Sequence, residues 1–135
     1  CVYCEDNEAP DIEHIFPKKI FPEKAFLWGN YVLACKICNT TYKSDNFEVF
    51  NPPNSAVRFD VKPPRKQYLQ PPNDDALFIN QLIEDPMYFI ELDLVNQEFI
   101  FIENTENFPE GSREYLKAKY TIELLGLNRR RRLVR

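Results

Sequence analysis

Histidine is nearly absent from this chain: of 135 residues, only His14 is one. Cysteine is limited to four. No stretch approaches the ~20 uninterrupted apolar residues of a membrane-spanning helix, so no membrane partner is expected. No Gly-rich phosphate loop or other nucleotide motif occurs, and the chain is not expected to hydrolyse ATP itself. Positive charge is outnumbered as well. The 17 Lys and Arg against 21 Asp and Glu give −4, and residues 129–135 (RRRRLVR) hold five of those basic groups, which leaves residues 1–128 at −9. Bulk charge therefore does not favour a polyanionic ligand, although a bound metal would change the field locally. The Arg run reads as a solvated end or as a phosphate- or partner-binding patch. What is present is apolar. With 44% hydrophobic and 14% aromatic residues, the chain suffices for one compact domain, or a small module with an attached lobe. It opens on Cys1 rather than Met, and reads as a piece of a longer protein.

The cysteines form two tight pairs, Cys1-x2-Cys4 and Cys35-x2-Cys38. That is the spacing of two zinc knuckles, each offering two thiolates from one turn. Four thiolates close a tetrahedral site with no open position, so the zinc would be structural, since a catalytic zinc keeps a vacant or water-filled place. A disulfide framework would use the same even number, but predicts no metal and sensitivity to reductant. A redox C-x-x-C pair occurs once, without a matching copy.

Residues 11–16 (DIEHIF) and 30–35 (NYVLAC) have the length and β-branched or aromatic content of short strands. Pro17, Pro22 and Gly29 punctuate the connection between them, and residues 37–47 (ICNTTYKSDNF) suit a short helix beginning at the second knuckle. The order is knuckle, strand, loop, strand, knuckle, helix. Zinc would pin the start of the first strand to the start of the helix and bring Asn39 near the strand that bears Glu13 and His14. In isolation, a single His in an apolar strand is more often packed than catalytic. Beside a metal staple the balance shifts toward chemistry.

Read together and in order, CVYC, IEHIFP, WGNYVLAC, KICN and YKSDN resemble an HNH (ββα-metal) nuclease of the variant with a four-cysteine zinc site. The EH pair, VFNPP, EDPMYFIELD and TIELLGLNRRRRLVR are further similar to the PtuB-like nucleases of Septu-type and retron-associated anti-phage defence systems. The resemblance implies an α+β fold: a ββα-metal core stapled by zinc, then a small accessory lobe with a β-hairpin and a C-terminal helix. It implies His14 as general base and Asn30 as the residue that holds the loop and orients it. Glu13 and Asn39 would supply oxygens to a catalytic Mg²⁺ or Mn²⁺, and Lys18, Lys19 and Lys43 would be phosphate contacts. The substrate would be nucleic acid, DNA before RNA or tRNA, the partner a PtuA-like ATPase of the ABC family, and the location the bacterial cytoplasm. The family usually carries Asp where this chain has Glu13, and neighbouring strand residues face opposite ways, so Glu13 and His14 share a ligand only where the strand ends and bends.

Phosphodiester hydrolysis needs an activated water, charge stabilisation at the phosphoryl oxygens, and help for the leaving oxygen. A neutral imidazole accepts a proton from water near physiological pH, and His14 is the one candidate. A hard divalent ion takes one or two protein oxygens and keeps its remaining waters. The rival reading is a non-catalytic zinc-binding interaction module, which keeps the cysteines and makes no demand on Glu13, His14 or Asn39.

The expected division is a nuclease core over 1–50, a Pro-rich connector over 51–75 with six of the eleven prolines, and a lobe over 76–135. In the lobe, residues 88–94 alternate as a strand, Asn96-Gln97 turn, and residues 99–102 (FIFI) return as a hairpin. Gly111-Ser112 open a helix with Leu116, Tyr120, Leu124 and Leu127 along one stripe, and Gly126 ends it. Asn128 would cap a further helix starting with the Arg run. The aromatic residues of this half read as core.

Overall fold

The computed structural model describes residues 1–6, 8–61, 70–94 and 99–129. Two strands, β1 (Asp11–His14) and β2 (Tyr31–Ala34), pair antiparallel with Ile12 opposite Leu33 and His14 opposite Tyr31. Each is shorter than the sequence suggests, and Asn30 explains the trimming. Its buried side chain takes the Phe16 N–H at 2.7 Å and donates to the Phe16 and Lys24 carbonyls, each at 3.0 Å. One further backbone bond follows His14, from the Ile15 N–H to the Asn30 carbonyl at 3.0 Å, and from Phe16 on the Asn30 amide replaces the ladder and holds the bend.

The helix after the second cysteine pair is a π-helix, Ile37–Lys43. Its closing bond runs from the Ser44 N–H to the Asn39 carbonyl, five residues back, at 2.7 Å, which marks a turn containing one residue more than an α-turn. Ser44, at φ +44°, ends it, earlier than the expected residue 47. The chain then enters β3 (Glu48–Phe50), which pairs with β4 (Arg58–Asp60). The second strand of that hairpin lies where a plain connector was expected. The Arg58 guanidinium grips Glu48 through two bonds of 2.7 and 2.8 Å, so this base serves the sheet. The central part of the expected connector, Lys62, Arg65, Lys66 and the 63–64 Pro pair, lies outside the described residues.

Residues 86–93 divide differently from a single strand. Asp85 accepts the Met87 N–H at 2.9 Å and Pro86 occupies the first turn, so a short helix α1 (Pro86–Phe89) precedes β5 (Ile90–Asp93). β5 pairs with β6 (Ile100–Glu103) as a hairpin; the expected Asn96-Gln97 turn lies outside the described residues. Helix α2 (Arg113–Leu125) starts at its Ser112 cap and stops at Gly126, φ +56°, a left-handed position that Gly occupies without a Cβ penalty. Its buried side includes Ala118, Tyr120, Thr121, Ile122 and Leu125; of the expected stripe Tyr120 and Leu127 are buried, whereas Leu116 and Leu124 are only half buried. Asn128 stitches the end of α2 to β6, accepting the Phe101 N–H and donating to the Phe101 carbonyl, each at 2.7 Å. A helix from the Arg run falls outside the described residues.

One apolar core joins the two halves. Phe16, Phe21 and Phe47 meet with ring centroids 5.2–5.3 Å apart, and Tyr3 packs edge-on against Phe78 at 5.5 Å. Thr121 of α2 accepts the buried Ile79 N–H at 3.0 Å, and α2 also packs on the π-helix. No helix among the described residues is long and apolar enough to cross a membrane.

Candidate active site

The cysteine pairs converge. All four Sγ atoms lie within 4.8 Å of one another, and Cys4 Sγ is 3.8 Å from Cys35 Sγ. A disulfide would bring them to ~2.04 Å. Four sulfurs each ~2.3 Å from one centre at tetrahedral angles stand about 3.8 Å apart. The Cys38 N–H additionally points at Cys35 Sγ at 3.5 Å. Donor chemistry, number and spacing all fit a metal held by Cys1, Cys4, Cys35 and Cys38.

That cluster fixes β1 beside the π-helix, and the strand's alternation sorts the remaining groups. Asp11 and Glu13 face the helix; Ile12 and His14 face away. Asn39 donates to Asp11 Oδ2 at 3.2 Å. Lys43, with no exposed side-chain surface, donates to Glu13 Oε1 at 2.5 Å and to the backbone carbonyl of His14 at 2.7 Å. Burial pushes the Glu13 carboxyl up, against the pull of Lys43, and burial likewise pushes the Lys43 ammonium down, against the pull of Glu13.

His14 is the last residue of β1, and its ring turns to the loop. Nε2 stands 3.1 Å from the Ala25 carbonyl oxygen, which also accepts the Tyr31 hydroxyl at 2.6 Å. A carbonyl only accepts, so Nε2 carries the proton in that bond and the lone pair of the neutral ring is on Nδ1. Tyr31 packs edge-on against the imidazole at 5.0 Å and helps to hold its plane. The imidazole and the helix-side oxygens thus lie on two faces of one strand and meet only at its end, where Lys43 touches both Glu13 and the His14 backbone.

Of the expected site residues, the structure brings together the four cysteines. It places Asn30 against the backbone that follows His14, and it sets the two expected ion ligands on other partners, Glu13 on Lys43 and Asn39 on Asp11. Lys43, expected at a phosphate, is buried and engaged within the fold. Lys19 is exposed but paired with Asp45 at 2.6 Å, and Lys18 is exposed. Asp11, Tyr31 and the Ala25 carbonyl were missed. Alternation alone would have put Asp11 on the Glu13 face; nothing local points to the other two.

Against known proteins, residues 1–45 match the family model described as HNH endonuclease, and that stretch holds the strand pair, the helix and the cysteine cluster. Beyond it, the chain is similar to two curated proteins. It is 29% identical to the Septu protein PtuB of Bacillus thuringiensis, over 80% of this chain and 48% of that protein, and 27% identical to the Septu protein PtuB of Bacillus mycoides (strain KBAB4), over 96% of this chain and 43% of that protein. The chain therefore spans about half the length of these relatives. No solved structure matches it significantly.

Proposed function

We propose that this chain is the nuclease part of a Septu-type defence protein and hydrolyses phosphodiester bonds in nucleic acid, DNA before RNA. The observation that carries the reading is the anchored imidazole. Within an HNH domain, the one histidine is held by a backbone carbonyl at Nε2, which leaves Nδ1 as the basic nitrogen. His14 Nδ1 takes the proton of a water as its oxygen attacks phosphorus, and the 3′ oxygen departs. Asn30 acts as a positioning residue: by fixing Phe16 and Lys24 it sets both the bend after His14 and the loop carrying Ala25. Asn39 and Glu13, with Asp11 on the same face, are hard oxygen donors suited to Mg²⁺ or Mn²⁺. Such an ion, when bound, supplies charge neutralisation at the phosphoryl and leaving oxygens. Glu13 contributes only after release from Lys43. The four cysteines hold a structural zinc. By its likeness to the two Bacillus proteins we infer a bacterial cytoplasmic setting, an anti-phage role, and a PtuA-like ABC-family ATPase as partner.

The test compares the wild-type chain with His14→Ala on plasmid DNA and total tRNA, in Mg²⁺ and in Mn²⁺, with zinc content measured on both. Cleavage by wild type alone, at equal zinc content, supports the reading and names the nucleic acid. Two proteins that hold zinc and cut nothing, with or without the ATPase, would return the chain to a zinc-binding interaction module.

A further inference from the structure

The loop between β1 and β2 presents large apolar side chains to solvent. Phe26 is 92% exposed, Trp28 88% and Leu27 54%, although rings of this size ordinarily contribute most when buried. The loop backbone is well built. Two short 3₁₀ turns (Pro22–Lys24 and Trp28–Asn30) frame it. The Leu27 N–H reaches the Lys24 carbonyl, the Asn30 N–H the Leu27 carbonyl, and the Asn30 side chain the Lys24 carbonyl. The rings are therefore held outward by an ordered frame.

Their position connects them to the base. Ala25, the residue before Phe26, supplies the carbonyl that anchors His14. Trp28 stands edge-on to Tyr31 at 6.3 Å, and Tyr31 edge-on to His14 at 5.0 Å, so a line of rings runs from open solvent to the imidazole. The chain carries −4 overall, which weakens the Coulombic attraction that dominates most nucleic-acid binding. Base faces are uncharged, and they stack on aromatic side chains with little regard to sequence. A continuous duplex covers those faces; single strands, loops, bulges and ends expose them.

We propose that loop 22–30, through Phe26 and Trp28, is a stacking platform for unpaired nucleobases beside the candidate active site, and that it selects single-stranded or unpaired segments over continuous duplex. The purpose of the platform rests on the nuclease reading of His14, but its test is a binding measurement. Trp28 is the only tryptophan, so intrinsic fluorescence reports on it directly. The His14→Ala chain is titrated with short oligo(dT), oligo(U) and a duplex of equal length. Single strands quench the emission at concentrations at least ~10-fold below the duplex, and comparison of the two oligomers assigns the preferred sugar. With end-labelled oligo(dT) followed by anisotropy, Trp28→Ala and Phe26→Ala each weaken binding about 5-fold or more, the range expected for loss of one stacked base, while Trp28→Phe retains it. Both positions are exposed, and an unchanged circular dichroism spectrum checks the fold. Equal affinity for duplex and single strand, or Trp28→Ala binding like its parent, overturns the proposal. So do variants that bind oligonucleotide normally yet lose association with the ATPase, since the loop would then be a protein-docking surface. Cleavage without quenching defeats the platform alone; quenching without cleavage defeats the nuclease reading alone.

Discussion

A buried ammonium tolerates the loss of its counter-charge badly, and Lys43 has two acceptors to lose. Lys43→Met would leave the Glu13 carboxylate uncompensated, and Glu13→Gln would strand the lysine; each is expected to cost ~3–5 kcal/mol of unfolding free energy. The double variant should cost clearly less than the sum of the two, because neither charge is then left alone. Urea denaturation of all four proteins measures this coupling, and additivity would show that the pair does not interact. Tyr3 presents the opposite case. Its buried hydroxyl has no hydrogen-bond partner among the described residues, and burial, with Glu13 and Cys38 nearby, pushes its ionisation upward. An unsatisfied buried polar group costs ~1–3 kcal/mol. Tyr3→Phe keeps the ring against Phe78 and is expected to raise the melting temperature; a fall would mean the hydroxyl has a role that packing does not show.

Among the elements, the pair of cysteine turns does most to hold β1 and the π-helix in place. Comparable small zinc domains gain ~10–16 kcal/mol from the metal, so a strong chelator is expected to melt residues 1–50 well below the temperature at which the metal-loaded chain unfolds. Calorimetry with and without chelator checks this, and thiol titration should show four reactive cysteines only after chelation. This element was legible beforehand, because two C-x2-C pairs state their chemistry within a few residues. The alternation of β1 was legible too, although Glu13 and His14 were expected to reach one site at the bend and instead lie on opposite faces of the strand. What escaped was set at a distance or by backbone detail. The partner of Glu13 is thirty residues away on Lys43, the ring anchor is a carbonyl on a loop, and no residue type announces π winding. Asp85 and Pro86 did carry a local helix-start signal, which the alternation of residues 88–94 masked. The strand Arg58–Asp60 was hidden among prolines, since it exists by pairing with Glu48–Phe50 rather than by its own pattern. The π turn has a consequence of its own. With more than four residues to the turn, it holds Asn39 and Lys43, four apart, on the side facing β1, as an α-helix also does for such a pair. Deleting exposed Thr41 should allow an ordinary α-turn to keep both on that side, costing less than the ~3 kcal/mol of a broken buried pair; denaturation of the deletion variant decides it.

Across the whole molecule, the end of the 51–75 stretch is tied to α2 by an ion pair whose strength depends on acidity. Arg113 grips Asp75 with two guanidinium nitrogens, one at 2.8 Å, and the Asn54 N–H joins at 2.8 Å. Burial alone would raise the Asp75 carboxyl; the Arg113 and Asn54 bonds outweigh it and hold the group below the usual carboxylate range. A carboxyl lowered on folding contributes stability that is complete above its unfolded value and fades as pH falls through the folded one. The wild-type chain should therefore lose stability more steeply than Asp75→Asn as the pH drops below about 4, and melting curves across that range measure the difference in slope. The cysteine cluster has a further meaning at this scale. Its sulfurs come from two places in the chain, Cys1 to Cys4 and Cys35 to Cys38, so a metal bound to all four would close everything between them into a ring at its base, and the entropy of closing that ring would be spent once. A protease that cuts the open stretch at Phe26–Trp28 would sever the backbone without parting the molecule: the two pieces would travel together until the metal is withdrawn.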